Sequence, residues 1–152
     1  MAASAWQLYN IAKKYIGNGT ITLGAGVFKM VLASASSNAS TFTISTYAQI
    51  TNEIATAGGY AAGGKALVPA TAQWTTGASA KQLKFTQTTV GLTFTASGAS
   101  LEDIKFAIIR NSTGTTAGKL LCFCQLSSGN FTVTSPNTLT VIPAATGIFT
   151  LT

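Results

Sequence analysis

Residues able to move a proton or hold a metal are scarce in this chain. Among its 152 residues there is no histidine, and the carboxylates are Glu53, Glu102 and Asp103 alone. A general base working near neutral pH is usually His, Glu or Asp. Glu102 and Asp103 are adjacent, so on a regular element their side chains diverge. No third oxygen-rich residue is spaced as in a calcium loop. A serine nucleophile needs a base, and no S-x-x-K stands at the start of a helix to supply a Ser-Lys pair. Cys122 and Cys124 form a C-x-C in KLLCFCQL. Two apart on a strand, they share one face, with Leu121 and Phe123 on the other. Without histidine or a further cysteine there is no four-ligand zinc set, so the pair reads as two small hydrophobes. The expectation is a protein that is not an enzyme, with no catalytic residue, no cofactor and no metal site.

The elements that would position any binding residue must come from a composition rich in Thr, Ser, Ala and Gly. Only 8% of residues are charged, against roughly 25% in ordinary soluble domains. The mean hydropathy is +0.38, yet no run approaches the ~18 consecutive apolar residues of a membrane span. Lys13 and Lys14 follow the first apolar residues instead of preceding them, unlike a secretory leader. The chain therefore reads as soluble, made in a cytoplasm and without a membrane partner. Its nine cations give a net charge of +6 but are scattered, with one Lys-Lys pair. Nucleic-acid modules cluster such residues on one face, so no nucleic acid is expected. Sparse charge leaves a soluble protein poorly protected against association. An obligate assembly partner follows, whether an acidic protein or copies of the same chain.

The length suits a single domain, residues 1–152. Residues 1–17 read as a helix, with Trp6, Tyr9, Ala12 and Ile16 at helical spacing. Ser4 is its expected N-cap and Gly17 its stop, with Lys13 and Lys14 favoured by the dipole in the last turn. This helix either packs on the domain or serves as an arm to a neighbouring subunit. Residues 18–152 then follow period two: a strand Val27–Ala33, a polar loop 34–41, a short internal helix Thr46–Ala57 and a glycine loop GGYAAGG at 58–64. That loop lacks the Gly-Lys-Ser/Thr of a phosphate cradle and reads as a turn crossing a sheet edge. Strands are expected at Ala70–Trp74, Gln82–Thr88, Leu92–Thr95, Ile104–Asn111, Lys119–Leu126, Asn130–Val133, Leu139–Ile142 and Ile148–Leu151. SGASLEDI reads as a polar loop leading into the fourth of these. Alternation such as LTFTA and TLTVI, with Gly, Ser, Pro and Asn spacers, indicates a mainly β, antiparallel sandwich or jelly-roll.

Trp6, Trp74, Phe85, Phe94, Phe106 and Phe123 fall in apolar-periodic segments and read as core. Tyr47 and Tyr60 fit a core less obviously, and an exposed tyrosine in a glycine loop can anchor an interface. The candidate interface residues are Trp6, Tyr9 and Lys13 from the N-terminal helix, Tyr47, and Tyr60 and Lys65 from the glycine loop.

The order GTITLGAGVFKMVL, Ser/Asn-rich loop, TYAQITNEIA, GGYAAGGKAL, IKFAIIRNS and SSGNFTVT resembles a family of small tailed-bacteriophage structural proteins. Members typically read G-x-I-x-L, a strand with Lys, L-x-S, a loop, Y-x-x-(I/L)-x-x-E-(I/V) and GGY-x-x-GG-x-x-L. The resemblance covers nearly the whole chain, and its most specific part is the pair TYAQITNEI and GGYAAGGKAL. It implies a virion protein, commonly a β-sandwich decorating the head or belonging to the neck or tail, and it supplies no catalytic residues. The resulting expectation is a decoration (cement) protein on the major capsid protein lattice, as a homotrimer at local three-fold positions. A neck, tail or fibre-tip module is the alternative. A secreted adhesin or pilin-like subunit is disfavoured by the N-terminal pattern.

Overall fold

In the computed structural model the described residues are 3–24, 26–67, 74–76, 83–85, 91–113, 117–143 and 147–151. They form a mainly β structure of antiparallel sheets with one α-helix. The expected strand Ala70–Trp74 lies outside the described residues except for Trp74, and Gln82–Thr88 is described only at 83–85.

The elements in chain order are β1 Gln7–Leu8, α1 Asn10–Gly17, β2 Phe28–Ser34, a 3-10 turn Tyr47–Gln49, β3 Lys65–Ala66, β4 Trp74–Thr76 and β5 Leu83–Phe85. They continue with β6 Leu92–Thr95, β7 Leu101–Asn111, β8 Leu120–Gln125, β9 Phe131–Val133, β10 Thr138–Val141 and β11 Phe149–Leu151. The main sheet has six strands in the order β1-β8-β7-β2-β3, with β9 also on β7. β10 pairs with β6, and β11-β5-β4 form a third sheet.

β7 is the axis of the main sheet. Phe106, Ala107, Ile108 and Ile109 are all buried in succession, so both faces of the sheet are covered there, as a continuous apolar run demands. β2 lies against β7 from Phe28↔Asn111 to Ser34↔Ile104 and is buried likewise at Phe28, Met30, Val31 and Leu32. Simple alternation survives in β6, where Leu92 and Phe94 are buried between more exposed threonines.

SGASLEDI departs from the expected loop. Leu101, Glu102 and Asp103 belong to β7, and the register against β9 shifts between Leu101 and Ile104. Asp103 sits at that irregularity with φ 57, a value Asp tolerates better than most side chains. Its carboxylate accepts from Asn130 Nδ2, which ties the bulge to the turn before β9.

The N-terminal segment also departs from expectation. Residues 7–8 are a strand and the helix begins only at Asn10, with Tyr9 and not Ser4 at the N-cap. The cause is the outer edge of β8. Ser4 N–H donates to Gln125 O at 2.8 Å, Gln125 N–H donates to Ser4 Oγ at 2.9 Å, and Tyr9 N–H donates to Leu121 O at 3.1 Å. An open strand edge with buried neighbours outbids local helix propensity, because each unpaired buried amide costs about 1–3 kcal/mol.

The internal helix reduces to the 3-10 turn Tyr47–Gln49. Gln49 Oε1 accepts the N–H of Ser45 at 2.8 Å and of Thr46 at 3.0 Å. Asn38 then grips the chain beyond it, donating to Gln49 O at 2.8 Å and accepting Thr51 N–H at 3.0 Å. Asn52 turns left-handed at φ 51, and Glu53 bridges to Ala33 of β2. The helical spacing of Tyr47, Ile50 and Ile54 thus serves an irregular strap, in which Ile54 N–H bonds Leu32 O at 3.0 Å.

Candidate functional site

Two features stand out: a carboxylate knot on the β2 edge and an apolar groove on the other side of the main sheet, beside β1.

The knot is built where the strap 46–67 crosses β2. Glu53 accepts the hydroxyl of Tyr47 on Oε2, and on Oε1 it accepts the hydroxyl of Tyr60 and the N–H of Gly63, both at 2.7 Å. The phenol oxygen of Tyr60 also accepts the N–H of Leu32 at 3.1 Å. Arg110 reaches in from β7, donating from Nη2 to Gly63 O at 2.8 Å. Its guanidinium lies 4.4 Å from the centre of the Tyr47 ring, a cation–π geometry. Burial, with the hydrogen bond to Glu53 next, pushes the Tyr47 hydroxyl up to about 12. Burial raises Tyr60 further still. Both phenols therefore keep their protons near neutrality and act as donors, not bases.

The glycines of GGYAAGG are needed for close approach. A Cβ on Gly64 would collide with the carbonyl oxygen of Met30, and one on Gly59 would stand 2.7 Å from Thr95 O. Both residues have positive φ, which glycine adopts without steric cost. The loop thus passes close to β2 at Gly64 and to β6 at Gly59.

The groove has a volume of about 1040 Å³. It is lined by Trp6 and Leu8 of the N-terminal segment, by Leu126 and Phe131, and by Leu139 to Ile142. Ile142 is 64% exposed and Phe42, also at the groove, is 41% exposed. Such large apolar side chains left in water at a concave surface mark a binding face more than a random surface residue does.

The expected interface residues separate into three groups. Trp6, half-buried, and Lys13, exposed, both line the groove. Tyr9 is fully buried, its hydroxyl donating to Ala39 O at 2.7 Å and its ring centre 5.1 Å from that of Phe123. It is a core residue, not the tip of an arm. Tyr60 is only 4% exposed and is consumed by the knot together with half-buried Tyr47, so the expected exposed anchor in the glycine loop is not there. Lys65 is exposed and donates to Thr93 O at 2.8 Å.

Cys122 and Cys124 are free and buried in β8. Burial raises both thiols, Cys124 to about 12 and Cys122 well above its usual value, so neither is a thiolate nucleophile at neutral pH. Among the described residues no three His, Cys, Asp or Glu side chains gather as a metal set. Among the same residues no helix is long and apolar enough to cross a membrane.

Sequence reasoning passed over Glu53 and Arg110. The signal available was the isolation of Glu53 as the only charge between Lys29 and Lys65. A lone carboxylate in an uncharged stretch needs internal donors. The two most specific motifs, TYAQITNEI and GGYAAGGKAL, meet at this one carboxylate. No protein-family model, curated protein or solved structure matches the chain.

Proposed function

We propose that this chain is a structural virion protein of a tailed phage, a decoration (cement) protein that docks on the major capsid protein lattice and stabilises it. The observation that carries the reading is the groove, an apolar concave face with Ile142 and Phe42 left in water on a chain of only 8% charged residues. A surface of that kind gains by burial against protein, at about 25 cal/mol per Å² of apolar area. In this reading the sheets pack as an antiparallel sandwich or jelly-roll, and three copies gather at each local three-fold position. Each copy adds a modest interface, and many symmetry-related copies together resist internal pressure through multivalency. The net charge of +6 favours docking on an acidic shell.

The test is the number of copies per purified particle relative to the major capsid protein, by quantitative mass spectrometry. Hundreds of copies are expected. A handful to a few dozen would move the protein to the neck, tail or fibre tip as an adaptor or host-binding module. Absence from the particle would overturn the virion reading.

A further inference from the structure

Among the described residues strand β10 is partnered along one edge only, by β6. Ala96 N–H donates to Asn137 O at 2.9 Å, so residues 96 and 137 form a hydrogen-bonded pair. The register continues antiparallel from Thr138↔Thr95 to Val141↔Leu92. Alternation of bonded and non-bonded pairs then turns the N–H and C=O of Thr138 and Thr140 away from β6. The hydroxyls of Thr140 and Thr93 lie 2.9 Å apart, as the closer side chains of a non-bonded pair should. The far edge of β6 is occupied, with Thr93 O taken by Lys65 Nζ and Gly58 O taken by Ser97 N–H. Among the described residues no strand or backbone group pairs with the outward edge of β10.

The same strand borders the groove, which Leu139, Thr140, Val141 and Ile142 all line. Among the described lining residues Lys13 is the only charge, and no carboxylate is present. We propose that β10 and the groove take up an extended apolar segment of a different protein. That segment adds as a strand to β10 and carries an acidic residue opposite Lys13. Strand addition supplies main-chain bonds while alternate side chains fill the groove. A second copy of this chain, with nine cations to three carboxylates, complements Lys13 less well than an acidic segment of another protein does, so the copies gathered in the decoration reading meet at other surfaces. That the segment belongs to a capsid lattice rests on the decoration reading; the strand addition does not.

The experiment uses the full chain and fluorescence anisotropy with two labelled probes. Both are short peptides of alternating valine and threonine, one capped by glutamates and the other by lysines. The glutamate peptide should bind at least about tenfold more tightly, a difference a single well-placed charge pair supplies. Thr140→Pro, which removes an outward N–H and no main-chain bond to β6, should weaken binding about tenfold, while Thr140→Val, which loses the same hydroxyl contact with Thr93 but keeps the N–H, should bind as the parent. Lys13→Glu, at an exposed position, should abolish or reverse the preference between the probes. Failure of both peptides to bind, equal binding of the two, or unchanged binding by folded Thr140→Pro would overturn the proposal. So would a dimer of the free protein that Thr140→Pro dissolves, because the groove would then hold a second copy. None of these outcomes depends on particle copy number, so each reading can fail alone.

Discussion

The phenol oxygen of Tyr60 accepts the backbone N–H of Leu32 at 3.1 Å, so a side chain stands where a neighbouring strand would be. The same oxygen donates to Glu53 at 2.7 Å. One residue of the glycine loop thereby closes part of the β2 edge and fixes the only carboxylate of the strap. Edge strands left open invite pairing with other chains, and irregular cover of this kind is one way of preventing it.

Tyr60→Phe tests this relationship. The ring and its 5.9 Å contact with Phe94 are kept while the Leu32 N–H and one Glu53 oxygen lose a partner. The expected loss is about 1–3 kcal/mol of unfolding free energy, read by urea denaturation. A change under about 0.5 kcal/mol, the size of an ordinary surface substitution, would show that water replaces the phenol at no cost.

Alkaline pH should loosen the knot. Tyr47 is raised from 10.0 to about 12 in the folded chain. Below the unfolded value the two states bind the same proton and stability is unaffected. Above it the unfolded chain has released a proton that the folded chain retains, so stability falls as pH rises through this window. Melting temperature should decline from about pH 10 upward, and Tyr47→Phe should flatten that part of the profile relative to the parent.

Two glycines with similar backbone should respond differently to alanine. Gly64 and Gly98 have φ 81 and 76, so each substitution incurs about 1–2 kcal/mol of left-handed strain. Nothing lies within 4 Å of a Cβ on Gly98, whereas one on Gly64 strikes the Met30 carbonyl. Gly64→Ala should therefore cost clearly more than Gly98→Ala in thermal unfolding. Equal losses would mean that the strap moves off β2 without penalty.

Removing residues 1–8 should expose the outer edge of β8. Leu120 to Cys124 are buried hydrophobes on that strand, and Ser4, Gln7 and Leu8 pair with it. The truncated protein should associate into concentration-dependent oligomers, seen by light scattering. A stable monomer would show that the N-terminal segment is dispensable as edge cover.

Thr–apolar alternation in LTFTA and TLTVI, and the apolar run in IKFAIIRN, were enough to locate β6, β10 and most of β7, because side-chain period is a local property of a strand. The scarcity of ionisable groups was equally plain, since composition needs no coordinates. Three things waited for the tertiary structure. Residues 3–8 have helical spacing yet lie along β8, bonded to it at Ser4 and as a strand at Gln7–Leu8, because the unpaired amides of β8 outweigh a weak helix propensity. The sequence TYAQITNEIA has helical spacing yet forms a strap, because Asn38 and the β2 edge claim its backbone groups. Tyr60 looks exposed in a loop of small residues, but the glycines let that loop lie flat on Met30 and carry the ring inward onto Glu53. In each case the deciding partner is distant in sequence, and hydrogen bonds across that distance exist only once the sheet has formed.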